Sequence, residues 1–182
     1  EYLSPLPEIS GERLEVLNLL LGNRCPVLIA PVEAVMQFVL PRETLHKLTF
    51  LLRKGDTVER EFIEACLVDN GYTRTTLVEE RGDFSLRGDI FDVFPPSCAN
   101  PIRVEFFGDI VESLRTFDVS SQISLEDVSE MQILPVREIC LSQKEKEDGI
   151  ERIIAFGNKH DFERHHLQER IDQIKNLGNF SG

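Results

Sequence analysis

The sequence predicts an α+β fold, a mainly antiparallel sheet domain with flanking helices, and three observations carry that reading. Residues 82–118 divide into four short runs of alternating apolar and polar residues, punctuated by Gly and Pro. Apolar residues recur at helical spacing on both sides of that stretch. The apolar run 26–30, followed by Pro31 and a short helical pattern, has the strand-then-helix order of an α/β layer.

Residues 1–9, with Pro5 and Pro7, read as an extended lead-in. Ser10 is placed to cap a helix through Leu21, with Leu14, Leu17, Leu20 and Leu21 on its core stripe and Gly22 ending it. Residues 26–30 read as a strand buried on both faces, and a short helix from Val32 stops at Pro41. The junction between them lacks the glycines and the Lys-Ser/Thr of a phosphate loop, which excludes nucleotide binding there. Residues 45–54 fit a strand that Gly55 breaks. Asp56 and Glu59 have the spacing of a capping box for a helix to about Asp69, with Val58, Phe62, Ala65 and Cys66 inward and Asn70-Gly71 as its stop. Residues 72–80 read as a further strand of the sheet.

The four runs that follow are 84–87, 90–94, 102–107 and 110–117. Gly88 marks a bend or bulge, Pro95 and Pro96 end the second strand, and Gly108-Asp109 is a two-residue hairpin turn. A period of two puts Ile102, Val104 and Phe106 on the core face and Arg103, Glu105 and Phe107 on the outer one. The turn predicts Phe107 opposite Ile110, Glu105 opposite Glu112 and Arg103 opposite Leu114. Arg87 lies on the polar phase of its own strand and joins that face. An exposed aromatic beside arginines on a flat sheet is the composition of a protein-docking hot spot; the alternative is a face that another part of a larger protein covers. Residues 119–130 read as a polar segment with a turn, 131–135 as a closing strand, and 143–148 as a solvated charge run. Two helices, 148–156 and 161–177, separate near Gly157.

Composition narrows the function. With 182 residues, 41% hydrophobic and 29% charged, the chain reads as a soluble globular protein. It has no apolar run of membrane-spanning length and no signal-peptide pattern at its start, so a cytoplasmic location is expected. A net charge of -12 argues against gripping a nucleic-acid backbone. Cys25, Cys66, Cys98 and Cys140 form no Cys-x-x-Cys pair and read as buried reduced thiols. His160, His165 and His166, with Asp161, Glu163 and Glu169, lack the spacing of a zinc helix. Arg-Gly-Asp at 81–83 and 87–89 reads as coincidence of Gly-containing turns. The carboxylate pairs Asp89/Asp92 and Glu105/Glu112 sit on a flat face without the cleft that acid-base chemistry needs. No catalytic residue, cofactor or metal is therefore expected in these residues.

The runs RGDFSLRGDIFDVFPP and PIRVEFFGDIVESLRTFDVSSQ resemble the domain shared by bacterial transcription-repair coupling factors (Mfd) and the excision-repair protein UvrB. FFGDIVESLRTFD with Gln122, together with PVLIAPVEAVMQFVLP upstream, is closer to the coupling factors, since UvrB usually has Asp-Asp in the turn and a Pro-Leu-Thr-Gly ending. Ile123 departs from the arginine common in the coupling factors. The resemblance spans roughly residues 17–138, and it implies a non-catalytic module that docks the ATPase UvrA and recruits it to a stalled RNA polymerase. It implies a docking role for Arg87, Arg103 and Phe107. It also implies a sheet domain at 49–135 inserted in part of an α/β domain, which residues 1–48 and 136–182 supply as a first and a return segment, the latter with the C-terminal helices. For the much longer full-length protein it implies an ATP-dependent DNA translocase using ATP and Mg, with RNA polymerase and double-stranded DNA as partners. The alternatives are a fragment of the helicase UvrB, which would carry a phosphate loop upstream, and an intramolecular clamp surface that masks the docking face.

Overall fold

The computed structural model describes residues 7–22, 24, 27–138, 143–160 and 162–175. They fall into two compact units, Glu1–Ile139 and Cys140–Gly182.

In the first unit the helices are α1 (Pro7–Leu21), α2 (Val32–Val35), α3 (Arg42–Leu48) and α4 (Arg60–Asp69). The strands are β1 (Phe50–Arg53), β2 (Thr73–Arg74), β3 (Asp83–Arg87), β4 (Ile90–Val93), β5 (Ile102–Phe107), β6 (Ile110–Phe117), β7 (Ser124–Asp127) and β8 (Glu130–Ile133). Strands β2 to β7 form one six-stranded sheet in sequence order, parallel only between β2 and β3, while β1 and β8 pair antiparallel in a second. The architecture is the expected α+β one.

Directly paired residues share a face of a sheet. One face therefore carries Phe84, Val93 and Ile102, then Leu86, Phe91, Val104 and Leu114, then Phe106 and Val111. These pack with Ile63 and Leu67 of α4 and with Leu52, Met131 and Ile133 of the small sheet in a single core. At about 1.5–3 kcal/mol for each large apolar side chain withdrawn from water, this layer is the main source of stability. Helix α1 lies on the same unit. Its Leu14 is fully buried, Asn18 exchanges hydrogen bonds with Gln132 of β8, and Gly11 approaches Pro96 so closely that a Cβ would collide.

The four central strands sit where the alternation and turns put them, and Gly88-Asp89 and Gly108-Asp109 are both two-residue turns with glycine at positive φ. Other expectations need correction. Helix α1 starts at Pro7, a residue suited to the first turn, so Ser10 is a buried position inside it rather than its cap; Leu20 is exposed. Residues 27–30 form no strand and are exposed, Ile29 at 92%. Apolar continuity signals burial, but no described strand pairs with this run.

The strand expected over 45–54 is helix α3 followed by β1. Leu45 and Leu48 are three apart whereas Phe50 and Leu52 are two apart, so the period changes at Thr49, whose N–H closes on the Leu45 carbonyl. The capping box does not form. The Asp56 carboxylate accepts the Arg53 N–H at 2.7 Å across the Gly55 turn, and α4 starts only at Arg60. That start turns Ile63 and Leu67 inward and leaves Ala65 and Phe62 outward, the latter 59% exposed. Only Thr73–Arg74 of the expected strand 72–80 pairs in the sheet.

In the hairpin, Phe107 does face Ile110, but a bulge between Glu105 and Phe106 puts Glu105 opposite Ser113 and Arg103 opposite Arg115. Strand β6 has one residue more than β5 at that point, and Glu112 is the unmatched one. The closing strand β8 pairs with β1, and β7 arises within the segment read as polar loop.

The second unit is a pair of helices, α5 (Gln143–Lys159) and α6 (Arg164–Lys175). The charge run 143–148 is the start of α5. Gly157 lies inside α5 rather than ending a helix, because Leu167 of α6 occupies the space its side chain would take. No helix of the described residues is long and apolar enough to cross a membrane.

Candidate docking face

The opposite face of the large sheet carries Ser85, Arg87, Ile90, Asp92, Arg103, Glu105, Phe107, Ile110 and Arg115. Two environments divide it. At one end the segment 75–80 leaves the sheet after β2 and folds over this face, with Val78 fully buried and the Ser85 hydroxyl donating to the Thr76 carbonyl at 3.2 Å. The turn 118–122 covers the same end from the other side, the Gln122 amide donating to the carbonyls of Val78 and Val119 at 3.3 and 2.8 Å. Beneath them Phe117 packs with Val78 and Phe94 in a small second core.

Asp92 is the centre of the covered end. Its carboxylate is fully buried and receives a bidentate pair of hydrogen bonds from Arg103, at 2.8 and 2.9 Å, plus one from Arg87 at 2.8 Å. A carboxylate withdrawn from water is tolerated only when paired and hydrogen-bonded, and two guanidiniums meet that need. The Arg103 side chain is only 16% exposed. It also donates to the Gln122 carbonyl at 3.1 Å and lies 4.6 Å from the centre of the Phe117 ring, a cation–π distance. The hydrogen bond to Asp92 raises the pKa of an already strong base, against the opposing pull of burial. Arg115, directly opposite Arg103, is offset by Asp127 at 3.0 Å and Glu105 at 3.6 Å.

The turn that covers this end is held by Asp118. Its carboxylate accepts from the Ser120 hydroxyl at 2.6 Å and from the Ser121 hydroxyl and N–H at 2.8 and 2.9 Å, which lowers its pKa to about 2. Gln122 then takes a positive φ of 59°. That conformation aims its carbonyl at Arg103.

The other end is open. Phe107 is 76% exposed at the tip of the β5–β6 hairpin, flanked by the exposed Ile110 and by Ile90. Arg87, its side chain 47% exposed, makes one hydrogen bond among the described residues, the one to Asp92, and faces solvent beside this apolar group. The hairpin tip is fixed from below. Thr57 bridges to Ile110, and the Val58 N–H reaches the Asp109 carbonyl at 2.8 Å.

Arg87, Arg103 and Phe107 thus share one face, as strand phase requires, but differ in exposure. Sequence reasoning missed Asp92 as the link between the two arginines, having weighed it only against Asp89. Asp89 belongs elsewhere, accepting from Arg60 at 3.0 Å. The signal was present: Asp92 falls on the outer phase of an otherwise apolar strand and opposite Arg103 in the antiparallel register. The two Arg-Gly-Asp triplets serve turns, Arg81 donating to the carbonyls of Pro96 and Cys98 and stacking on Phe94, and Arg87-Gly88-Asp89 forming the β3–β4 hairpin. Among the described residues no group of His, Cys, Asp or Glu is arranged to hold a metal.

Residues 50–139 match the family model of the UvrB interaction domain. Over 147 residues, 81% of the chain, the sequence is 34% identical to the transcription-repair-coupling factor of Bacillus subtilis. It is 34% identical over 96% of the chain to that of Myxococcus xanthus and 38% identical over 76% to that of Escherichia coli. The chain belongs to the transcription-repair-coupling factor family. It spans 12% to 15% of the length of these relatives. The UvrB interaction domain begins at β1 and continues just past β8, so it includes both sheets, α4 and the whole outer face.

Proposed function

We propose that the open end of the outer face docks the excision-repair ATPase UvrA, so that this UvrB interaction domain recruits it to a stalled RNA polymerase. The observation that carries the reading is Phe107, an aromatic side chain 76% exposed at a hairpin tip, flanked by two isoleucines and on the same sheet face as a half-exposed arginine. Docking would bury Phe107 in an apolar pocket of the partner and satisfy Arg87 with its acceptors. Arg103 supports the same face from beneath. For the longer protein we extend the proposal to an ATP- and Mg-dependent DNA translocase in the cytoplasm, acting on RNA polymerase and double-stranded DNA.

Titration calorimetry of the 182-residue chain against purified UvrA tests the docking. Wild-type binding that Phe107→Ala weakens by about 2 kcal/mol or more, with the thermal unfolding of the chain unchanged, is the expected result. A folded chain that does not bind UvrA, or a Phe107→Ala chain that binds as well as wild type, would overturn it.

A further inference from the structure

The structure assigns Asp92 a role in recognition as well as in folding: we propose that it is the positioning residue that holds Arg87 in the orientation required for docking. The inference rests on the docking reading above and adds the group that makes an arginine on an exposed strand end usable.

A free arginine side chain samples many rotamers, and a partner that captures it must overcome that loss of entropy. Arg87 ends β3 and has nothing else among the described residues to fix its head. Its single bond to Asp92 at 2.8 Å fixes one N–H and leaves the rest of a five-donor fork for acceptors on a partner. Asp92 can do this because it is itself immobile. It is fully buried, sits in the middle of the sheet, and is gripped at both oxygens by Arg103.

Exposure also favours an outward-facing role. Two guanidiniums share the Asp92 carboxylate, while the Glu105 carboxylate on the same face acts on Arg103 and lies 3.6 Å from Arg115. Arg103, 16% exposed and bonded to Asp92 and the Gln122 carbonyl, is turned inward. Arg87 is therefore the exposed member of the pair, directly opposite Ile90 and on the same sheet face as Phe107. A partner that fits this arrangement presents a carboxylate beside an apolar pocket.

The test is a double-mutant cycle on binding of the 182-residue chain to UvrA, with Arg87→Ala, Asp92→Asn and the pair. Asn keeps the shape and one acceptor oxygen, but its amide can also disturb Arg103, which retains Gln122 and the Phe117 ring. Thermal unfolding of each chain is therefore measured alongside, and the cycle with Arg87→Ala isolates the part of the loss that acts through Arg87. Each single substitution is expected to weaken binding about tenfold, and the double substitution no more than either single one. A purely structural Asp92 would lower affinity whether or not Arg87 is present. Losses that multiply to about a hundredfold, or an Asp92→Asn chain with wild-type affinity, would overturn the inference. If Asp92→Asn does not fold, Arg87→Lys decides: lysine keeps the charge and loses the fork, and it should lose as much affinity as alanine, whereas wild-type affinity would overturn the proposal. Docking that depends on Phe107 but shows an additive cycle removes only the role of Asp92. Absence of any binding by the folded wild-type chain removes the docking reading and this one with it.

Discussion

The two ends of the outer sheet face use the same ingredients, an aromatic ring and an arginine, to opposite ends. At the covered end Phe117 and Arg103 stack, lie under the segments 75–80 and 118–122, and are bonded within the chain. At the open end Phe107 and Arg87 stand largely or partly in solvent, with one hydrogen bond to the chain between them. Residue type alone does not separate folding from recognition on this sheet; what separates them is whether the chain supplies the cover.

The comparison breaks most directly at Phe117. Phe117→Ala removes the ring from a fully buried site and should destabilise the chain by roughly 3–5 kcal/mol, read from the midpoint of urea unfolding. A cost below that of an ordinary surface substitution would mean that the covered end is not a core. Arg103→Ala comes next. It leaves the buried Asp92 with one arginine in place of two, and a loss of roughly 3 kcal/mol is expected by the same measurement. Phe107→Ala should stay within about 0.5 kcal/mol of wild type in unfolding while losing UvrA affinity, so stability and binding separate at that residue.

The smallest expected effect concerns the cover itself. Asp118 has its pKa lowered to about 2 from an ordinary 3.8 by the Ser120 and Ser121 hydrogen bonds, so the turn is stabilised when the carboxylate is ionised. That contribution is fully present above pH 4 and is lost as pH falls toward 2. An NMR titration of the Asp118 carboxyl should show a midpoint near 2, moving up toward the ordinary value in the chain with Ser120→Ala and Ser121→Ala. A midpoint already at 3.8 in the wild type would mean that the turn is not held in this way.

The four central strands and the Gly108-Asp109 hairpin turn were legible in the sequence because local rules decide them: alternation sets the faces, and glycine at positive φ sets the turn. Gly88 was legible only as a bend or bulge, and the chain makes a second two-residue turn there. What was not legible depends on distant residues. The bulge between Glu105 and Phe106, which leaves Glu112 unmatched, belongs to the β5–β6 pairing and is not encoded in the alternation of either strand. The inward turn of Ile63 and Leu67 follows from where α4 begins, and that is set by the Asp56 carboxylate closing the turn with Arg53 instead of capping a helix. At the site, strand phase brought Arg87, Arg103 and Phe107 to one face. It did not show that segment 75–80 would fold over part of that face, because an apolar run with Val78 reads equally well as a strand. The exposed residues 27–30 taught the reverse, since a run suited to burial lacks a partner strand among the described residues.

The pairing of β1 with β8 has a mechanical consequence. Phe50 lies opposite Ile133 and Arg53 opposite Glu130, so the chain enters and leaves the sheet domain side by side through a four-rung antiparallel ladder. Tension applied through residues 49 and 134 would peel that ladder open one rung at a time, rather than shearing all its hydrogen bonds together. That ladder is the first part of the domain such a pull would load, and opening it would expose Leu52, Met131 and Ile133, which it contributes to the core.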